Sequence, residues 1–275
     1  IRFNDDDSNT FTKTPSADGN RKIMTWSLWF KRGNLGGTQT LIGGGQTNGI
    51  MFQLNSSNQW YFYDNAASFQ VTNTYAFYQP QWVHLVFAID TNQSTDTDRF
   101  KFYIDGELQD LSTWGAGAGN QKYPTLNSTI SYNTSSLGMY YGKVDATQAP
   151  LDGYLADIHF VDGHLEFLNS SSLGADSANG YNFTATDFPT RDQVTDTPTR
   201  NYNILDSSRK GAATTLSEGN LKSAAASSTW NQNMGAFFPT NGKWYAEMYV
   251  TSTRLGVGVA QQNYNPGTYS GGDAT

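Results

Sequence analysis

Hydrophobic and polar positions alternate with a period of two in several short runs, the spacing of strands with one buried face. In "KIMTWSLWFKR" (22–32), Met24, Trp26, Leu28 and Phe30 lie on one face and Ile23, Thr25, Ser27 and Trp29 on the other. "GIMFQL" (49–54) and "QWYFYD" (59–64) flank "NSSN" as a hairpin, and "QWVHLVFAID" (81–90) and "RFKFYIDG" (99–106) flank the polar loop "TNQSTDTD". "GYLADIHFVDG" follows between two Asp-Gly pairs. Its alternation places Tyr154, Ala156, Ile158 and Phe160 on one face and Leu155, Asp157, His159 and Val161 on the other, with Asp152 and Asp162 as turn residues. After residue 164 the period is lost, and 169–200 is expected to be a linker, with "DTPTRNYN" extended because Pro198 disfavours helix at Thr197. Strands then return: a hairpin over 213–223 around "SEGN", a strictly alternating 242–252, and a partner strand over 254–261.

Composition supports an all-β, turn-rich chain. Aromatics make up 14% of the 275 residues and charged residues only 15%. No cysteine is present, which excludes disulfides and Cys-based zinc sites. The formal charge of −7, with 17 scattered Lys and Arg, excludes a general nucleic-acid binder. The basic pairs at 21–22, 31–32 and 209–210 are expected on the solvated surface. No run approaches the ~18 apolar residues of a membrane span, so no membrane insertion is expected. Ile1 begins within a strand-like "IRFND", which suggests a processed or incomplete piece of a longer chain.

Three stretches carry a family resemblance over 1–168. "RFNDDDSNTFTKTPSADGNRKIMTWSLWFKRG", "QWVHLVFAIDTNQSTDTDRFKFYIDGELQD" and "LDGYLADIHFVDGHLEF" resemble the opening, central and closing strands of a laminin-G-like, concanavalin A-type jelly roll. "ATTLSEGNLKS", "GKWYAEMYVTS" and "LGVGVA" resemble the N-terminal part of a SPRY-like sandwich over 201–275. The expected fold is therefore a jelly-roll sandwich, a linker and an incomplete second β-sandwich. This order of modules is similar to tail-fibre and appendage proteins of marine bacteriophages. It implies a virion-located, oligomeric adhesion or capsid-decorating protein whose partners are copies of itself, other virion proteins and a host surface glycan.

Jelly-roll glycoside hydrolases place paired carboxylates on alternate strand positions, and no such spacing occurs here. Glu107 and Asp110 are three apart, and His84, His159 and His164 stand without a nucleophile elbow. No catalytic residue is assigned, and the chain is expected not to be an enzyme. The alternatives are a polysaccharide-degrading hydrolase and a secreted bacterial adhesin. Glycan contacts are expected at the loop-proximal aromatics Trp60, Tyr63, Trp114, Tyr140 and Tyr141, with core or subunit interface as the competing role. The resemblance implies a structural Ca²⁺ between the N-terminal loop and the last strand, held by Asp5, Asp7 and Asp157. The competing role for these acids is a solvated loop.

Overall fold

Alternation of the kind seen in 22–32 forces one face of a strand into the core, and the chain stacks two sheets to bury those faces. The computed structural model describes residues 1–7, 9–44, 49–113, 123–145, 149–161, 165–166, 183–225, 231–237, 241, 245–251 and 258. The strands run β1 (Arg2–Phe3), β2 (Thr10–Lys13), β3 (Ile23–Arg32), β4 (Gln39–Gly44), β5 (Met51–Leu54), β6 (Trp60–Asp64), β7 (Phe69–Asn73), β8 (Trp82–Asp90), β9 (Phe100–Ile104), β10 (Glu107–Leu108), β11 (Leu111–Thr113) and β12 (Met139–Tyr141). They continue as β13 (Gly153–Val161), β14 (Leu165–Glu166), β15 (Thr184–Thr186), β16 (Leu205–Lys210), β17 (Thr214–Ser217), β18 (Lys222–Ala225) and β19 (Asn233–Gly235). One sheet has the order β1-β13-β3-β8-β9-β10, with β14 on β13, and the other β11-β7-β6-β5-β4-β12-β2-β15. Two two-stranded sheets follow, β16-β19 and the hairpin β17-β18.

The core lies between the two large sheets. Met24, Trp26, Leu28 and Phe30 of β3 and Val83, Leu85, Phe87 and Ile89 of β8 are at most 2% exposed. They meet Phe52, Trp60 and Phe62 from the opposite sheet; Trp26 packs edge-on to Phe52 at 5.2 Å and Phe87 stacks on Phe102 at 5.1 Å. Each such ring contributes roughly 2–3 kcal/mol through burial. The hairpins expected at "NSSN" and "SEGN" form as β5-β6 and β17-β18.

β13 departs from simple alternation. Ala156 pairs with Trp29, and the next pair is His159 with Ser27, so β13 advances three residues while β3 advances two. Asp157 occupies the bulge at φ 46°. The extra residue flips the phase, so Leu155 and Phe160 both face the core although five positions apart. The two faces read from strict alternation are corrected accordingly.

Part of the expected linker belongs to the fold. β15 extends the second sheet beyond β2, and Phe188 stacks on Phe11 at 4.5 Å. Residues 192–207 then lie against the outer face of the first sheet, where Ile204 packs with Trp82 and Tyr154. Lys31 and Arg32, expected on the solvated surface, are 0% and 1% exposed. The Lys31 ammonium donates to Asp196 Oδ2 at 2.6 Å, Asn201 Oδ1 at 2.8 Å and the Tyr202 carbonyl at 2.6 Å, while Trp82 Nε1 donates to Asp196 Oδ1 at 2.8 Å. Desolvation pulls the Lys31 pKa down, and Asp196 opposes that. The strand expected over 242–252 does not form in its described part: 245–250 are exposed without strand pairing, Tyr249 at 94%. Its partner at 254–261 lies almost wholly outside the described residues.

Removing one partner of a buried ion pair strands the other charge. Lys31→Ala should therefore lower unfolding free energy by about 3 kcal/mol, read from urea denaturation. An unchanged midpoint would show that this pair does not hold the 192–207 segment.

Candidate carbohydrate-contact surface

One end of the sandwich gathers the loops 33–38, 55–59 and 74–81, because β3, β5, β7 and the start of β8 all reach it. The Arg32 guanidinium sits beneath them. Nε donates to the Asn34 carbonyl at 3.0 Å, Nη2 to Asn58 Oδ1 at 2.7 Å, and Nη1 to the Phe77 carbonyl. Asn58 in turn accepts from Gly36 N at 2.8 Å and its carbonyl from Phe77 N at 2.7 Å. No carboxylate among the described residues pairs with Arg32, and desolvation lowers its pKa to about 10. A buried, acid-free cation is costly, and here every guanidinium nitrogen is bonded to a loop. The loops so held present Tyr75 and Tyr78, 75% and 51% exposed, either side of the buried Phe77.

Next to this rim, the outer face of β6 carries Tyr61 and Tyr63, two residues apart, with nearly parallel rings 6.4 Å apart. Tyr63 lies opposite Gln70 of β7 and Met51 of β5. Burial first, then Tyr63, pushes the Tyr61 hydroxyl up to about 12, so it remains a neutral donor and acceptor across the physiological range.

The expected glycan residues separate on this geometry. Tyr63 is half-buried on the outer face. Trp60 and Tyr141 are corrected: both are 0% exposed, with Trp60 packed against Phe30, Phe77 and Phe102 and Tyr141 against Phe183. Nearness to a turn did not decide their face; strand phase did. Tyr140 is half-buried on β12, in the same cross-strand row as Gly43, Met51 and Tyr63. The Lys143–Val144 backbone crosses over Gly43 and leaves no room for a side chain between Tyr140 and the others. Trp114 lies outside the described residues. Tyr75 and Tyr78 were missed because "TNTYAFYQPQ" does not alternate; its signal is an aromatic cluster ending at Pro80.

The acids expected to hold calcium do not come together. Asp157 is exposed on its bulge. Asp7 lies instead with Asp192 and Glu218, carboxylate oxygens within 4.8 Å of one another. Arg2 bonds Asp192 Oδ1 through Nε at 2.8 Å and Nη2 at 2.6 Å, and Glu218 Oε2 at 2.7 Å; Arg191 pairs with Asp7. Two guanidiniums already satisfy these oxygens, so the trio does not fit a divalent cation. Asp5 lies near Asp152, the expected turn residue, which is fully buried. Asp152 accepts Gly219 N at 2.9 Å and Asn34 N at 2.9 Å, joining the loop rim to the "SEGN" turn. Burial first, and then Asp5, raise its pKa to about 7.

Glu107 is exposed on the edge strand β10. Ser27 Oγ lies 2.8 Å from His84 Nε2 on the outer face of the first sheet, with Trp29 5.2 Å from the same ring. Asp105 accepts the His84 backbone N–H, not its ring.

Two antiparallel sheets around an aromatic core, with β1 and β2 supplying strands to both, define a lectin-type jelly roll. Residues 5–166 match the concanavalin A-like lectin/glucanases superfamily, and the chain belongs to that family. No curated protein matches the chain. Among solved structures, a putative carbohydrate binding protein from Bacteroides ovatus is 13% identical, with 67% of this chain and 56% of that one covered and a TM-score of 0.47. The heptameric SAP-like pentraxin of Limulus polyphemus is also 13% identical, over 66% and 86% of the two chains, at 0.41. Domains LG4-5 of the mouse laminin alpha1 chain are 12% identical over 58% and 42%, at 0.36. The chain thus spans about half the length of the Bacteroides protein.

Asp152 gives a pH test. The folded chain keeps a proton there that the unfolded chain, with an ordinary carboxyl, has released between about pH 4 and 7. Its contribution to stability is therefore full at the acid end and lost as pH rises through 7. Wild type minus Asp152→Asn, followed by urea unfolding, should show a downward slope of up to about 1.4 kcal/mol per pH unit in that window. A flat difference would contradict the raised pKa.

Proposed function

We propose that this chain is a non-enzymatic adhesion module that binds surface glycans through the Tyr75–Tyr78 rim and the adjoining Tyr61–Tyr63 face. One observation carries the reading: a buried Arg32 with no acid partner fixes three loops so that two exposed tyrosines stand beside asparagine and glutamine side chains. Sugars are recognised by that combination, apolar ring faces on aromatics and hydroxyls on amides held in place beforehand. Membership of a lectin and glucanase superfamily is consistent with it.

The non-catalytic part of the proposal is supported by the state of the acids. The clustered carboxylates Asp7, Asp192 and Glu218 are bonded to arginines, and no described pair flanks an open sheet face in the manner a glycosidase needs. Placement on a virion appendage, in contact with copies of itself, rests on the resemblance of the module order alone.

The test is a glycan array with the whole chain, followed by titration of the best binder. Tyr75→Ala combined with Tyr78→Ala should weaken binding about tenfold or more with an unchanged unfolding midpoint. Equal binding by the double variant would remove the rim from the site. Release of reducing ends from the bound glycan would remove the non-catalytic reading.

A further inference from the structure

Charge is distributed unevenly along this chain. From Gly33 to Ile89 the sequence holds one Asp, Asp64, and no Glu, Lys or Arg, in a protein with 41 such residues overall. Asp64 is fully buried, accepting Ala67 N at 2.8 Å and Ser131 N at 2.7 Å. This run forms β4, β5, β6 and β7, four adjacent strands of the second sheet, and the loops 33–38, 55–59 and 74–81 at its rim. These strands and loops therefore contribute no exposed charge of their own; among the described residues, acids alone border the rim, Asp5 bonded by the Asn34 side chain and the exposed Asp110 bonded through its carbonyl by Thr74 N. Lys143, whose backbone crosses Gly43 at the flank, is itself 6% exposed.

From this placement we infer that the ligand of the rim and face is a neutral polysaccharide, not a uronate, sialylated or sulfated one. The inference rests on the carbohydrate reading above and narrows its substrate class. Binding an anionic sugar calls for arginine or lysine donors, bidentate where possible. Arg32 is the cation set beneath the rim, and all its nitrogens are committed to Asn34, Asn58 and Phe77. The formal charge of −7 also repels polyanions at long range. What the surface does offer is the exposed Gln79 amide, the Tyr63 hydroxyl and the mutually bonded Tyr61 and Gln70, with ring faces at Tyr75 and Tyr78. Strands and loops without exposed charge, bordered by Asp5 and Asp110, favour an uncharged partner over an anionic one, because contact with them strands no ion and the bordering acids repel anions.

Affinity electrophoresis of the whole chain tests this with dextran, a β-1,3-glucan and galactomannan as neutral probes and alginate and heparin as anionic ones. Retardation by at least one neutral polymer, insensitive to added salt, is the expected result. Gln79 is exposed beside Tyr78, so charge can be introduced there without disturbing the core. Gln79→Glu and Gln79→Lys should weaken neutral-polymer binding alike. Salt-sensitive binding of alginate or heparin, strengthened by Gln79→Lys and weakened by Gln79→Glu, would overturn the neutral class and leave the carbohydrate reading standing. No retardation by any polymer would overturn the carbohydrate reading itself. So would a concentration-dependent oligomer that Gln79→Glu and Gln79→Lys both dissolve, since the face would then pack against a second copy.

Discussion

The structure turns on two consecutive cations at the end of β3. The pleat of a strand sends neighbours to opposite sides. Lys31 therefore points out of the sandwich and Arg32 into the rim, and both are removed from water. Their surroundings differ. Lys31 meets a carboxylate, Asp196, and a ring of neutral acceptors, so it binds the C-terminal segment to the outer face of the first sheet. Arg32 meets neutral acceptors alone, so it binds loops to one another. One dipeptide thereby sets which sheet face is covered and which rim is presented.

The second consequence is a division of labour between the sheets. The outer face of the first sheet is partly closed by 192–207 and by the Trp82, Tyr154 and Ile204 cluster. Ion pairs to Arg2 and the hydrogen bond from Tyr154 to the Gly219 carbonyl at 3.0 Å seat the "SEGN" turn beside it. Strands β4 to β7 of the second sheet contribute no exposed charge. Buried ion pairs are thus concentrated where the chain holds itself together, and neutral hydrogen-bonding groups on the strands and loops proposed for glycan contact.

The sandwich was legible in the sequence because period-two alternation is a local property: β3, β8 and the β5-β6 hairpin follow from it directly. Features that depend on distant residues were not. Lys31 and Arg32 look like surface charge until Asp196, Asn58 and Phe77, far away in sequence, close over them. Trp60 and Tyr141 look loop-proximal until strand phase turns them inward. The bulge at Asp157 adds a residue that no alternation rule anticipates, and so shifts which side chains of β13 reach the core. Asp152 has the sequence of an ordinary Asp-Gly turn. It becomes a buried acid because Gly33 and Gly219, which carry no side chains, approach it closely. Tyr63 was legible as a surface aromatic; Tyr75 and Tyr78 were not, since an irregular loop carries no periodic signal.

The central claim is that the loops fixed by Arg32 are the glycan contact. Hydrogen–deuterium exchange of the whole chain with and without a saturating neutral oligosaccharide tests it most directly. The expected result is slowed exchange confined to 33–38, 55–63 and 74–81. Protection confined to the outer face of the first sheet, around Ser27, Trp29 and His84, would contradict it.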